Sequence, residues 1–230
     1  MSDVYQAHTP LLVAVDCIIF GFDEEKLKLL LINRDFEPMR NHWSLMGGFV
    51  CPNESTDEAA QRVLHTLTGL TNVPMEQLHT FGRVDRDTAS RVISVTYDAL
   101  INMNSHQVSL NQQHGAAWFD TDKIPPLIFD HQEIVERALS RLKHRAVTQP
   151  IGFALLPPKF TMRQLQALYE AILEVPLDKR NFQRRIHSMN LLVKLDEKDR
   201  KSSKRGAHYF RFDEARYQAL LAQGLNFAIL

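Results

Sequence analysis

The chain has 230 residues, 44% of them apolar, which is enough to bury the core of one large domain and one small one. It contains no apolar run long enough to cross a bilayer and no secretory signal, so we expect a cytoplasmic protein without a membrane partner. The formal net charge is zero but unevenly divided: residues 1–150 contain 13 basic and 19 acidic residues, and residues 151–230 contain 14 and 8. A basic C-terminal part predicts a domain that meets a polyanion.

The first part of the chain alternates strand-like and helix-like segments. Aliphatic runs predict strands at residues 11–20 and 28–33, and later at 92–101 and 116–119. The two cysteines, Cys17 and Cys51, have no metal-binding or redox spacing. We expect both to be free, buried thiols.

Residues 48–70, GFVCPNESTDEAAQRVLHTLTGL, combine a glycine turn with a helix. Ser55 and Glu58 form a capping box and Gly69 is a stop signal, so the pattern predicts a helix over 56–68. The segment resembles the Nudix box, in which three carboxylates on one helix face hold magnesium. Those positions are occupied here by Val63, Thr66 and Leu67. Because these side chains cannot replace three carboxylates, we predict no catalytic residues, no metal site and no hydrolase activity.

Other residues of this box match the family pattern. The resemblance implies a structural ion pair between Glu54 and Arg62. Further along, Asp130 is placed to cap a helix through residue 143. Three prolines within residues 146–160 then mark a boundary. We predict a ligand-sensing domain over residues 1–149.

A different pattern follows over residues 150–230. Thr161 and Gln164 predict the start of one helix, and Asp178 predicts the start of a second, KRNFQRRIHSM. A hairpin with a long basic connection comes next, between strand candidates at 191–195 and 209–212. Two short helices followed by a hairpin predict a winged helix-turn-helix domain that binds DNA.

The whole chain resembles the NrtR family of Nudix-related transcriptional regulators. Besides the box, the likeness is carried by DCIIFGF, HWSLMGGFV, LIFDH, PIGFALLP and DKRNFQRRI. The resemblance implies an α/β fold, with a Nudix α/β/α sandwich followed by a small winged helix-turn-helix domain. It also implies a bacterial repressor of NAD-metabolism genes that senses ADP-ribose, or a related NAD metabolite, as an effector rather than a cofactor, and releases DNA on binding it.

Without metal, other groups must offset the charge of a diphosphate. Arginine forks and glycine backbone amides suit phosphate, and exposed aromatic rings suit adenine. The candidate ligand-binding residues are Arg34, Phe36, Trp43, Gly47, Gly48, Phe49, Arg83, Asp85, Arg86 and Arg91.

The basic domain supplies candidates for the DNA surface. Arginine and glutamine can form paired hydrogen bonds with bases, whereas other basic residues contact phosphates. The candidates are Arg163, Lys179, Arg180, Gln183, Arg184, Arg185, Lys201, Lys204 and Arg205. Because one such domain has a small footprint, we expect a homodimer on a palindromic double-stranded operator.

Two alternatives remain open at this point. The first is a Nudix hydrolase that recruits magnesium through acids elsewhere, such as Asp85, Asp87 or Glu54. The second is a sugar-sensing regulator of the same architecture.

Overall fold

The structure is a computed structural model, and it describes residues 7–103, 115–200, 206–224 and 227–229. The chain divides into two compact units. The first takes in most of the chain up to residue 138, and the second is formed mainly by Leu139–Leu230 together with the turn Gly21–Lys28. Within the described ranges, no helix is both long and apolar enough to cross a membrane.

The centre of the first part of the chain is a seven-stranded sheet. Its strands are β1 (Leu12–Phe22), β2 (Leu27–Asn33), β3 (Trp43–Ser44), β4 (Met46–Phe49), β5 (Glu76–Phe81), β6 (Val92–Asn102) and β7 (Ala117–Asp120). The main path runs β3-β2-β1-β6-β5, with β4 paired to β1 and β7 paired to β2. The aliphatic runs predicted as strands form β1, β2, β6 and β7, and the apolar side chains of β1 and β2 fill the core.

Two helices cover the sheet, α1 (Thr56–Thr68) and α2 (His131–Thr148). The predicted capping box of α1 is present, and Gly69 ends the helix with a left-handed φ of 77°. On β1, the Cys17 thiol donates to the carbonyl oxygen of Ala60 in α1. Its neighbour Asp16 faces His131 in α2. Because successive strand residues point to opposite faces, α1 and α2 lie on opposite sides of the sheet and the unit is an α/β/α sandwich.

After α2 the second unit continues with a short 3-10 helix, Ile151–Leu155. Then come β8 (Phe160–Thr161), α3 (Met162–Leu173), α4 (Lys179–Met189), β9 (Leu192–Asp199), β10 (Ala207–Phe212) and α5 (Glu214–Ala222). The strands form a sheet in the order β8-β10-β9. Both predicted caps are present: Thr161 makes a capping box with Gln164, and the Asp178 carboxylate accepts from the Asn181 amide. This is a winged helix-turn-helix, with α4 as its second helix and β9–β10 as its wing.

Several elements differ from the sequence prediction. Helix α2 runs five residues beyond the predicted end at residue 143. The Asp130 carboxylate, assigned a capping role, accepts two hydrogen bonds from Arg86. The prediction that both thiols are buried is wrong for Cys51, which is exposed. Strand β9 continues to Asp199 instead of ending at residue 195, so the strands of the wing are longer than predicted.

Candidate functional site

The loop between β4 and α1 is held by an ion pair between Glu54 and Arg62. Two guanidinium nitrogens of Arg62 bond the two carboxylate oxygens of Glu54, at 2.8 and 2.5 Å. The Arg62 hydrogen bond, with a second from the Cys51 amide, lowers the pKa of Glu54 to about 2. Arg62 also donates to the carbonyl oxygen of Phe49. The structure thus confirms the predicted pair, which fixes the end of β4 against the first turns of α1.

The face of α1 that carries metal ligands in active Nudix enzymes has a different chemistry here. Val63 is 3% exposed and lies beneath Gly48, so closely that a Cβ on Gly48 would come within 2.8 Å of a Val63 methyl. Thr66 is exposed and Leu67 is half-buried. This face therefore offers one hydroxyl where magnesium needs several oxygen ligands. Across the described parts of the chain, no three His, Cys, Asp or Glu side chains are grouped to hold a metal.

A buried charged cluster lies on the opposite side of the sheet. It consists of Asp16 on β1, Arg86 in the β5–β6 loop, Ser94 on β6, and Asp130 and His131 at the start of α2. Each side chain belongs to a residue that is at most 5% exposed. Arg86 bonds Asp130 at 2.9 and 2.8 Å and Asp16 at 3.3 Å, and the Ser94 hydroxyl donates to Asp16 at 2.6 Å.

His131 occupies a defined tautomer in this cluster. The backbone N–H of Leu45 donates to its Nδ1 at 3.1 Å, so that nitrogen must carry a lone pair. The remaining ring proton is then on Nε2, which lies 3.6 Å from an oxygen of Asp16. Burial lowers the pKa of His131. The imidazole is therefore neutral near pH 7, and the cluster consists of one cation and two carboxylates.

Gly47 allows β4 to approach this cluster. It pairs with Asp16 across the β1–β4 ladder. A Cβ at residue 47 would lie 2.5 Å from Asp16 Oδ1 and 3.3 Å from the Val15 carbonyl oxygen. Any larger residue would displace the Asp16 carboxylate from its partners. The two adjacent glycines thus leave room for different side chains, Gly47 for Asp16 and Gly48 for Val63.

The β5–β6 loop places the predicted arginines of residues 83–91 in two environments. Arg86 is inside, with its guanidinium bound by two carboxylates. Arg83 is exposed, with Asp85 at 3.6 Å and Glu133 at 3.3 Å. Arg91 donates to the carbonyl oxygen of Arg83. The exposed Arg83 and Asp85 and the half-buried Arg91 therefore lie close together, whereas Arg86 is buried beneath them.

A second predicted group surrounds Arg34. Its guanidinium carbon lies 4.0 Å from the ring centroid of Phe36 and 6.0 Å from that of Phe129. Phe36 is 53% exposed, so most of its ring is open to a ligand. Phe129 also contacts the His131 ring, with 6.1 Å between centroids, and so joins the Arg34 group to the buried cluster. Sequence reasoning missed Phe129, Asp130 and His131 as site residues, although LIFDH was among the phrases that carry the family likeness.

The two other predicted aromatic residues differ in exposure. Trp43 packs edge-on against Phe119, with 4.7 Å between centroids, and is half-buried. Phe49 is 55% exposed at the end of β4. A flat ligand can therefore reach Phe49 directly, whereas Trp43 mainly holds β3 against β7.

Helix α4 carries the predicted DNA surface. Phe182 and Ile186 are buried, which turns Lys179, Arg180 and Arg184 outward and leaves Gln183 partly exposed. Arg163 is exposed on α3. Arg185, predicted to contact phosphate, is exposed, and its Nε donates to the carbonyl oxygen of Ala228 at 2.7 Å. The remaining predicted residues, Lys201, Lys204 and Arg205, lie outside the described residues.

Comparisons with known proteins match both parts of this architecture. Residues 10–139 match the NUDIX domain family, and residues 152–212 match the NrtR DNA-binding winged helix domain. The chain is 32% identical over 205 residues to the ADPR responsive transcriptional repressor NtrR of Acinetobacter baylyi, an alignment that covers 87% of this chain and 82% of that protein. The chain belongs to the NrtR family. The two domain matches leave residues 140–151 between them, so the boundary after residue 149 stays a prediction for this NrtR-family chain.

Solved structures give the same result. Shewanella oneidensis NrtR complexed with a 27mer DNA superposes with a TM-score of 0.78 at 28% identity, covering 87% of this chain and 93% of that one. The NUDIX domain of the same protein complexed with ADP ribose has a TM-score of 0.51 at 28% identity, covering 62% and 99%. An ADP-ribose pyrophosphatase of Methanocaldococcus jannaschii is 34% identical over 124 residues, which is 54% of this chain and 70% of that protein. NrtR-family regulators and Nudix hydrolases are thus both related to this chain.

Proposed function

We propose that this chain is a cytoplasmic transcriptional repressor of NAD-metabolism genes whose Nudix domain binds ADP-ribose and thereby releases DNA. The observation that carries the proposal is similarity to an ADPR-responsive repressor across 87% of the chain, through both domains. A DNA complex of one relative and an ADP-ribose complex of its Nudix domain support the two binding partners.

The exposed and half-buried groups of the Nudix domain suit a nucleotide diphosphate bound as an effector without a metal cofactor. Arg34, Arg83 and Arg91 supply fixed positive charge that offsets the diphosphate. Phe36 and Phe49 expose about half of their surface, which is suitable for stacking on adenine. In this proposal Arg86 does not touch the ligand, because it is buried and its Nε and Nη2 donate to Asp16 and Asp130. It holds the loop that presents its neighbours.

Release of DNA requires that the protein has a DNA-binding and a non-binding arrangement, and that ADP-ribose binds the two with different affinity. As a homodimer on a palindromic operator, the protein has two copies of α4 whose spacing must match two half-sites. ADP-ribose shifts the population only if it prefers the non-binding arrangement, by about 5.5 kcal/mol for a change from 1:99 to 99:1. We expect saturating ADP-ribose to weaken operator binding by at least about tenfold in a fluorescence-anisotropy titration. Unchanged operator affinity at saturating ADP-ribose would contradict the proposed switch, and a pentose that has this effect in place of ADP-ribose would support the sugar-sensing alternative.

The hydrolase alternative is favoured by one observation, the 34% identity to an ADP-ribose pyrophosphatase. The acids that it would recruit already have partners: Glu54 binds Arg62, Asp85 lies beside Arg83, and Asp87 accepts from the Ala89 amide. We therefore propose that ADP-ribose stays intact. Turnover of ADP-ribose with magnesium, lost in Asp87→Ala, would establish the alternative instead.

Restoring carboxylates to α1 should restore metal binding. In the variant Val63→Glu/Thr66→Glu/Leu67→Glu, magnesium should raise the melting temperature in proportion to the logarithm of its concentration, whereas the wild type should not respond. Without metal the variant should melt lower than the wild type, because residue 63 is buried and its carboxylate would have no partner. Val63→Gln/Thr66→Gln/Leu67→Gln is the matched control, similar in size and uncharged. An equal magnesium response in the control would show that the metal binds elsewhere.

A further inference from the structure

Residues 227–229 are anchored by burial and by two hydrogen bonds. Phe227 is 6% exposed and Ile229 is 3% exposed. The Ile229 amide donates to the carbonyl oxygen of Val147 near the end of α2, at 3.3 Å. The Ala228 carbonyl accepts from Arg185 on α4 at 2.7 Å. This segment, called the C-terminal clamp below, therefore contacts α2 on one side and α4 on the other.

The clamp meets a face of α4 that lies beside the buried Phe182 and the exposed Arg184. Phe182 and Ile186 point into the core. Asp178, Asn181, Arg185 and Ser188 recur at helical spacing, and with Ile229 they line a cavity of about 750 Å³. The clamp and this stripe thus fix the rotation of α4 about its own axis, and that rotation decides which side chains face DNA.

We propose that the C-terminal clamp is the positioning element of the DNA-binding helix α4, with Arg185 as its anchor rather than as a phosphate contact. The role rests on the proposed DNA-binding function. The other contact of the clamp, Val147, lies in the last turn of α2, so the clamp holds α4 against that end of α2.

The decisive variant is Arg185→Met in the full chain, which keeps an unbranched side chain and removes the donor to Ala228. The probe is a DNA duplex selected by the wild-type protein from a random-sequence library. Loss of one hydrogen bond of ordinary net strength corresponds to about fivefold weaker binding. We expect Arg185→Met to bind the duplex about fivefold more weakly, with an unchanged dependence of affinity on salt. Amides of α4 should exchange faster with solvent in the free protein, because the helix no longer has its anchor.

Removal of residues 227–230 should produce the same two effects, and combining it with Arg185→Met should add nothing further. Arg180→Met, at an exposed position of α4 outside the cavity, is the matched control: it should weaken DNA binding while leaving amide exchange in α4 unchanged. Since Arg185 is exposed, its variant should fold even if the truncated chain does not.

Three results would overturn the proposal. One is a shallower dependence of DNA affinity on salt in Arg185→Met, with the slope of log affinity against log salt concentration reduced by about 0.9. A change of that size identifies Arg185 as a residue that neutralises a phosphate. Another is additivity of the two changes. The third is amide exchange in α4 that is unaltered in both variants. If the wild type selects no DNA, the proposed function fails, whereas the exchange measurement still decides whether the clamp holds α4.

Discussion

Replacing Arg86 by methionine should destabilise the protein by about 3–5 kcal/mol, the usual cost of removing one partner from a buried ion pair. Arg86 is the cation between Asp16 and Asp130, and all three residues are 5% exposed. Its loss leaves two carboxylates buried side by side without the cation between them. Chemical denaturation at pH 7, followed by circular dichroism, measures the loss directly.

Arg83→Met is the matched control, because it removes an arginine from the same loop. Arg83 is 61% exposed at its side chain and its two ion pairs are long, at 3.6 and 3.3 Å. Exposed pairs of this kind contribute about 0–1 kcal/mol. If the two variants were equally stable, the buried cluster would not be a structural support of the β5–β6 loop. Arg83→Met should also weaken ADP-ribose binding, although its free energy of unfolding stays close to that of the wild type.

The parts of the fold that follow from short-range chemistry could be predicted from sequence. The caps of α1, α3 and α4 each involve residues three positions apart, and all were predicted correctly. The ion pair between Glu54 and Arg62 joins residues eight positions apart within one motif. By contrast, β5 was not predicted, because most of its residues are exposed at the edge of the sheet and show no apolar alternation.

The environment of each arginine could not be predicted in the same way. Arg86 and Arg83 lie in one loop and look alike in sequence. Arg86 is buried because Asp130, 44 residues away, and Asp16, 70 residues away, converge on it. Arg185 has the helical position of an outward-facing residue, and its partner lies 43 residues later at the C-terminus. A charged side chain's role depends on which distant backbone or carboxylate reaches it, and no local pattern contains that information.

Substitutions on the outward side of α4 should change which DNA sequences the protein prefers. Arg180 and Arg184 are exposed and point away from the buried Phe182 and Ile186. A bidentate contact between arginine and guanine contributes about 1–3 kcal/mol of discrimination. We therefore expect Arg180→Ala and Arg184→Ala each to weaken binding to the selected duplex by about ten- to hundredfold per half-site, and to relax preference at one base pair there. Binding measured against a panel of single-base variants of the duplex shows both effects.

Two further arginines separate base recognition from simple loss of charge. Arg163→Ala on α3 should weaken all duplexes about equally and reduce the salt slope, as expected for a phosphate contact. Arg137→Ala removes the same charge from an exposed position on α2, outside the winged helix, and should change neither affinity nor preference. A uniform loss across the panel in Arg184→Ala would assign that residue to phosphate, and base recognition would then fall to Arg180 and Gln183. The face of α4 that reads DNA is thus determined by which substitution changes sequence preference, since affinity alone does not distinguish a base contact from a backbone contact.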